Sequence, residues 1–286
     1  MSIEAFYLPL AGGQRFCVFH SADKVSRTPR LGQVVFVHPL AEEMNKSRRM
    51  ASLQARALAQ AGFDVLQIDL LGCGDSSGDF ADATWADWVG DVTAACNWLK
   101  GRTTAGFLHG PQTRLWLWGL RAGCLVAAQA AQSMQEPCNF LFWAPTSSGK
   151  LLLQQFLRLN AASSLARGNV KAAMENLRAD LAQGRSVEIA GYCMASALAE
   201  GLAQANLTPP DAGIRPGRVE WFEMSTRPQP NLTPTAANGI ADWQQAGYDV
   251  RSHMVIGPSF WQTSEIEDAA ALITATTSSL LGASLQ

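Results

Sequence analysis

RLWLWGLRAGCLVAAQAAQ, residues 114–132, decides how the rest of the chain is read. An apolar run, Arg114–Trp118, enters Gly119-Leu120-Arg121-Ala122-Gly123, and a small-residue stretch of helical character leaves it. A strand, a sharp turn and a helix, with a glycine two residues before and two after the apex, is a local design that lifts a nucleophile out of a packed core. The apex should hold Ser, Cys or Asp, and it holds Arg121. A guanidinium stays protonated and cannot attack a carbonyl. The scaffold points to nucleophilic catalysis and its central residue contradicts it.

Outward from this turn, strands and helices alternate. Residues 33–38 are a β-branched run typical of a central parallel strand. HPLAEEMNKSRR follows, with Asn45 or Ser47 read as the cap of a helix over 48–61 that ends at Gly62. Residues 63–69 form the next strand, and LLGCGDSSGDF the turn after it. Thr84 caps a helix in which Trp85, Trp88, Val89, Val92, Cys96 and Leu99 recur at helical spacing. Upstream, residues 3–9 and 14–20, joined by Ala11-Gly12-Gly13, read as an edge hairpin. Downstream, a strand over 138–143 is followed by a change of character: residues 145–215 are helical apart from a strand over 186–190. LTPPDAGIRPGR then leads into a strand over 218–224, a helix over 236–246 and a strand over 248–256. A last helix runs from Ser264 to about Leu281, with Ser264 and Glu267 placed as a capping box.

This order predicts an α/β chain with a mostly parallel central sheet of about eight strands and right-handed crossovers. Residues 1–144 and 216–286 would form the core, and 145–215 a helical cap inserted after the sixth strand, over the carboxyl ends of the strands where such sheets keep their sites. LLGCGDSSGD does not open a helix directly and no acidic residue follows at dinucleotide-binding distance, so a nucleotide fold is disfavoured.

Composition narrows the function. Of 286 residues, 48% are apolar and 16% charged, and the formal net charge of −2 offers no electrostatic footprint for nucleic acid. Six cysteines at irregular positions, several in apolar runs, read as buried thiols of a reducing compartment. The opening residues lack a basic-apolar leader and no apolar run approaches bilayer length, so a cytoplasmic protein is expected. Four isolated histidines give no metal-ligand spacing, and neither metal nor cofactor is expected.

The site reads as follows. His38-Pro39-Leu40-Ala41 occupies the place of a loop whose N–H groups hold an oxyanion; Pro39 has no N–H, so the donors would be Leu40 or Ala41 together with Ala122. His38 reads as a structural histidine below the site. Glu42 and Glu43, taken to lie in the same loop, are the candidate partners of Arg121. Either the pair is a plain salt bridge, or Arg121, at a helix N-terminus, receives an anionic group. Cys124 should point into the packing. The loop after the seventh strand, STRPQPNLTPTA, holds no acid, Glu223 lies within the strand, and the loop after the last strand has Phe260 and Trp261 where a histidine is wanted. His253 lies inside the last strand and reads as structural or solvent-facing. Trp143, Phe156, Tyr192, Phe260 and Trp261 are either core or the lining of an apolar cleft.

FVHPLAEEMNKSRRM (36–50), IDLLGCGDSSGDF (68–80), WLWGLRAGCLVA (116–127), EIAGY (188–192) and GPSFWQTSEIE (257–267) together resemble the second type of exosortase A system-associated hydrolase, in the α/β-hydrolase superfamily. That resemblance spans nearly the whole chain. It implies an α/β-hydrolase fold, a hydrolase-like protein and a setting in exopolysaccharide biosynthesis. With the residues above, three functions are expected in competition. One is a triad-lacking protein that binds a small acyl, phosphate or carboxylate ligand at Arg121, Glu43, Leu40, Ala122, Phe260 and Trp261. Another is an ester or thioester hydrolase in which Glu42 or Glu43 activates water. The third is a non-catalytic scaffold partnering polysaccharide synthesis.

Overall fold

In the computed structural model the described residues are 2–23, 30–102, 115–134, 136–163, 170–211 and 215–282. Arg114, with which the expected central strand began, and His109 lie outside them. The chain opens with the hairpin β1 (Ile3–Leu10) and β2 (Gly13–His20), paired antiparallel from Ile3↔His20 to Leu10↔Gly13. β3 (Gly32–Val37), β4 (Phe63–Ile68), β5 (Leu115–Leu120), β6 (Asn139–Trp143), β9 (Arg218–Ser225) and β10 (Asp249–Ile256) run parallel beside it. The eight-stranded order is β1-β2-β4-β3-β5-β6-β9-β10, so the chain starts near one edge, crosses β4 to reach β3, and builds outward to β10. β3, β5 and β6 are buried along their whole length because helices cover both faces, which is why they read as continuous apolar runs.

On one face pack α2 (Trp85–Gly101), α3 (Ala122–Met134) and α7 (Pro234–Gln245); on the other pack α1 (Glu42–Gln60) and α8 (Ala270–Leu280). Thr84 caps α2 as expected: its side chain accepts from the Asp87 N–H while the Asp87 carboxylate accepts from the Thr84 N–H. Two other helix starts differ from the sequence reading. α1 begins at Glu42, behind Ala41, not near residue 48, so Glu42 and Glu43 stand in a first helical turn and not in a loop. The helix macrodipole favours acids there. Asn45 and Ser47 lie inside the helix, where the Ser47 hydroxyl donates to the Met44 carbonyl at 3.1 Å. α8 starts behind Ala269, without a side-chain cap, and Ser264 and Glu267 are exposed residues of the loop before it. The Arg49–Asp268 pair, at 2.7 and 2.8 Å, instead ties that loop to α1.

Between β6 and β9 the chain forms α4 (Gly149–Ser163), α5 (Val170–Ala182), the hairpin β7 (Val187–Ile189) and β8 (Tyr192–Met194), and α6 (Ser196–Gln204). Tyr192, expected outside the strand read over 186–190, belongs to the second hairpin strand. Its hydroxyl accepts from Asn45 Nδ2 at 3.0 Å and its ring meets Phe80 edge-on, which ties the inserted segment to α1 and to the loop after β4; Phe156 of α4 meets the same ring from within the segment. Strain gathers at the carboxyl ends of the strands. Ala41, Arg121 and Ala144, three of the four non-glycine residues with positive φ among those described, follow β3, β5 and β6.

Candidate active site

The turn after β5 is built as its glycines require. Arg121 has φ 54°, an unfavourable left-handed conformation for a long side chain, held by its N–H donating to the Trp143 carbonyl at 3.1 Å and its carbonyl accepting from Cys124 N–H at 3.1 Å. A Cβ on Gly119 would stand 2.5 Å from Cys124 backbone atoms, and one on Gly123 would stand 2.1 Å from the Val37 carbonyl oxygen. Both positions therefore demand glycine, and α3 enters tight against the end of β3.

The strained apex directs the Arg121 side chain toward the inserted segment, with 13% of its surface left exposed. Its Nε lies 3.4 Å from Glu43 Oε1, and its Nη2 donates to Gln155 Oε1 of α4 at 2.9 Å. Its Cζ sits 5.9 Å above the Trp261 ring, within cation–π range. Trp261 belongs to the loop that follows β10. Phe260, from the same loop, packs against Trp143 at 6.1 Å in the core and does not face the cleft. Gln262 reaches the cleft instead.

Leu40, Glu42, Glu43, Lys46, Leu152, Gln155, Phe156, Leu159 and Gln262 enclose this cleft, of about 190 Å³. Arg121 stands behind its wall through Glu43 and Gln155. Ala122 is buried at the first turn of α3 and Ala41 carries φ 49° ahead of α1, so both loops expected to supply oxyanion donors flank Arg121.

Burial pushes the Glu43 carboxyl up to about 7, with Arg121 pulling it down, Glu42 pushing it further up and Gln262 pulling it down. Glu42 is also raised, chiefly by burial. Each of these carboxylates keeps one oxygen, Oε2, buried without a hydrogen-bond partner, and so does the Trp261 indole nitrogen. Glu223, on β9, is raised by burial and lowered by the Trp221 indole, which donates to it at 2.9 Å, and by the charge of Arg121. Glu223 lies within β9, not in the loop after it.

His38, His253, His20, Cys124, Ser76 and Ser77 are engaged elsewhere. His38 Nδ1 donates to the Pro39 carbonyl at 2.7 Å while Nε2 accepts from Leu70 N–H at 3.2 Å, and burial lowers its pKa. His253 lies 2.6 Å from the buried Glu220 and stacks on Phe222, and His20 binds Gln67 at 3.0 Å. Cys124 faces the Trp143 carbonyl at 3.9 Å, with its thiol raised well above its ordinary value by burial. Ser76 and Ser77 hold the first hairpin to the loop after β4, accepting from Phe16 and Gln14 N–H.

Gln155 and Gln262 were not singled out from sequence. For Gln155 a signal existed: Leu152, Gln155, Phe156 and Leu159 share one helical stripe, and a lone amide on an apolar stripe asks for a partner. Gln262 had none.

Residues 28–193, more than half of the chain, match the family described as serine aminopeptidase, S33. The chain belongs to this family. Its fold is that of the α/β hydrolases. Est1E from Butyrivibrio proteoclasticus, solved with ferulic acid bound, is similar over 97% of this chain and 98% of its own, with TM-score 0.65 and 13% identity. A highly thermostable carboxyl esterase from Bacillus coagulans, solved with glycerol, covers 99% of both chains with TM-score 0.60 and 13% identity. A lidless serine hydrolase from Xanthomonas campestris covers 98% of this chain and 94% of its own, with TM-score 0.54 and 14% identity. No curated protein sequence matches the chain. Among the described residues, no helix is long and apolar enough to cross a membrane.

Proposed function

We propose that this S33-family chain is a hydrolase-like protein without a Ser-acid-His triad, and that it uses the elbow to bind a small anionic ligand with an apolar body. One observation carries the reading: the apex of the elbow is a largely buried guanidinium, held by Glu43, Gln155 and the face of Trp261, behind a cleft lined by Leu40, Leu152, Phe156 and Leu159. A fork of N–H donors at a helix N-terminus recognises anions. The resemblance to exosortase A-associated proteins supports an acyl or acidic intermediate of exopolysaccharide synthesis as the ligand class, and a cytoplasmic setting.

A fluorophosphonate probe, which labels activated serines, should leave the native protein unlabelled. Thermal unfolding with short carboxylates and alkyl phosphates should show stabilisation that is weaker in Arg121→Lys, where the charge stays and the planar fork is lost. Stoichiometric labelling of a serine in the native protein, or equal ligand shifts in both proteins, would count against the reading.

A second reading has its own support. A carboxyl held near 7 is well placed to serve as a general base, since proton transfer is most effective when the base's pKa lies near the working pH. Glu43 would take a proton from water as the hydroxyl adds to an ester carbonyl. Turnover of short acyl esters that vanishes in Glu43→Gln would establish it.

A further inference from the structure

From the geometry of the Arg121–Glu43 pair we infer that the cleft takes a short monoanionic carboxylate by displacing Glu43 from Arg121, and that Glu43 picks up one proton from solvent as the ligand enters. This rests on the ligand-binding reading above and adds a ligand class and a proton coupling to it.

The pair is under-satisfied. At 3.4 Å it is long for a charge-assisted contact, and Glu43 Oε2 is buried and unpartnered at the wall of the cleft. A ligand carboxylate that takes the guanidinium leaves the buried Glu43 without that cation, beside the charge of Glu42 and the amide of Gln262. A stranded buried carboxylate is costly, and protonation is its cheapest relief. Burial already holds the Glu43 carboxyl at about 7 with Arg121 beside it, and losing that cation moves it higher. Around it, α1 contributes Glu42 and Lys46, β9 contributes Glu223 through Arg121, and α4 and the loop after β10 contribute the neutral amides of Gln155 and Gln262.

Those groups also select the ligand. Arg121 and Lys46 face the carboxyls of Glu42, Glu43 and Glu223, so a dianionic phosphate arriving with one proton adds a further negative charge to the site. A monoanion arriving with a proton leaves the balance unchanged. The volume of about 190 Å³ is below that of drug-sized sites and holds a short aliphatic tail.

The sign of the pH effect follows. Below about 7 Glu43 is protonated beforehand and binding takes up no proton; above it each binding event takes up one, so affinity falls about tenfold per pH unit. The test is calorimetric titration of the full chain with pentanoate and with pentyl phosphate, at pH 6 and pH 8.5, in two buffers of different ionisation enthalpy. Expected for pentanoate are about one proton taken up at pH 8.5, none at pH 6, and tighter binding at pH 6. Glu43→Gln, checked for folding by thermal unfolding, should bind pentanoate equally at both pH values with no proton uptake. Pentanoate binding without proton uptake at pH 8.5 overturns the coupling and leaves the ligand site standing. Tighter binding of pentyl phosphate at pH 8.5, where it is a dianion, overturns the ligand class. Binding of neither by the wild type overturns both this inference and the function it rests on.

Discussion

Two of the arginine–carboxylate pairs in this molecule, one under the hairpin and one at the elbow, are built for different ends. Under the hairpin, Arg15 Nε meets Asp91 Oδ2 at 2.7 Å with both side chains nearly sealed, at 2% and 4% exposure, and the same oxygen accepts the Leu71 N–H at 2.8 Å. At the elbow, Arg121 meets Glu43 at 3.4 Å, shares its donors with Gln155, and leaves Glu43 Oε2 with nothing. The first pair joins β2 to α2 and has its partners in place. The second is loosely closed beside an open cleft. Satisfaction of hydrogen bonds, not burial alone, separates a charge pair that holds a fold from one that can open.

The comparison breaks if the two pairs respond alike. Arg15→Leu leaves Asp91 buried without its cation and should cost about 3–5 kcal/mol in denaturant unfolding. Glu43→Gln should act in the opposite direction. The Glu43 carboxyl is raised in the folded chain from 4.5 to about 7, so wild type loses stability as pH rises between those values, and the glutamine avoids the loss. The variant should gain about 3 kcal/mol at pH 8 and close to nothing at pH 4.5, as read from unfolding curves at both pH values. Arg121→Leu should cost only about 1–2 kcal/mol at pH 8, because Glu43 can relieve its loss with a proton where Asp91 has other fixed partners. A loss as large as that of Arg15→Leu would make the elbow pair structural. Gln155→Ala should change stability least, by about 0.5 kcal/mol, since the neutral amide faces a partly exposed guanidinium.

Legibility followed the range of the interactions involved. GLRAG, the apolar runs of β3, β5 and β6, and the Thr84 cap of α2 are local patterns, and the structure holds them where they were read. Helix starts that lacked a side-chain cap were misread. α1 begins behind a strained Ala41 with no polar side chain to mark it, and α8 begins where Ala269 packs into the core. Correcting the start of α1 matters most, because it places Glu43 on a rigid turn facing the elbow.

By itself, the sequence determined that an alternating α/β chain would raise a cationic side chain on a glycine-bracketed turn, because glycine spacing and apolar runs act within a few residues of one another. Only the tertiary structure decided what that cation meets. Glu43, Gln155 and Trp261 come from three segments 78, 34 and 140 residues away, and their convergence depends on how α1, the inserted segment and the last loop pack on the sheet. Whether a charge is satisfied or left waiting is a property of that convergence, and no single stretch of the chain carries it.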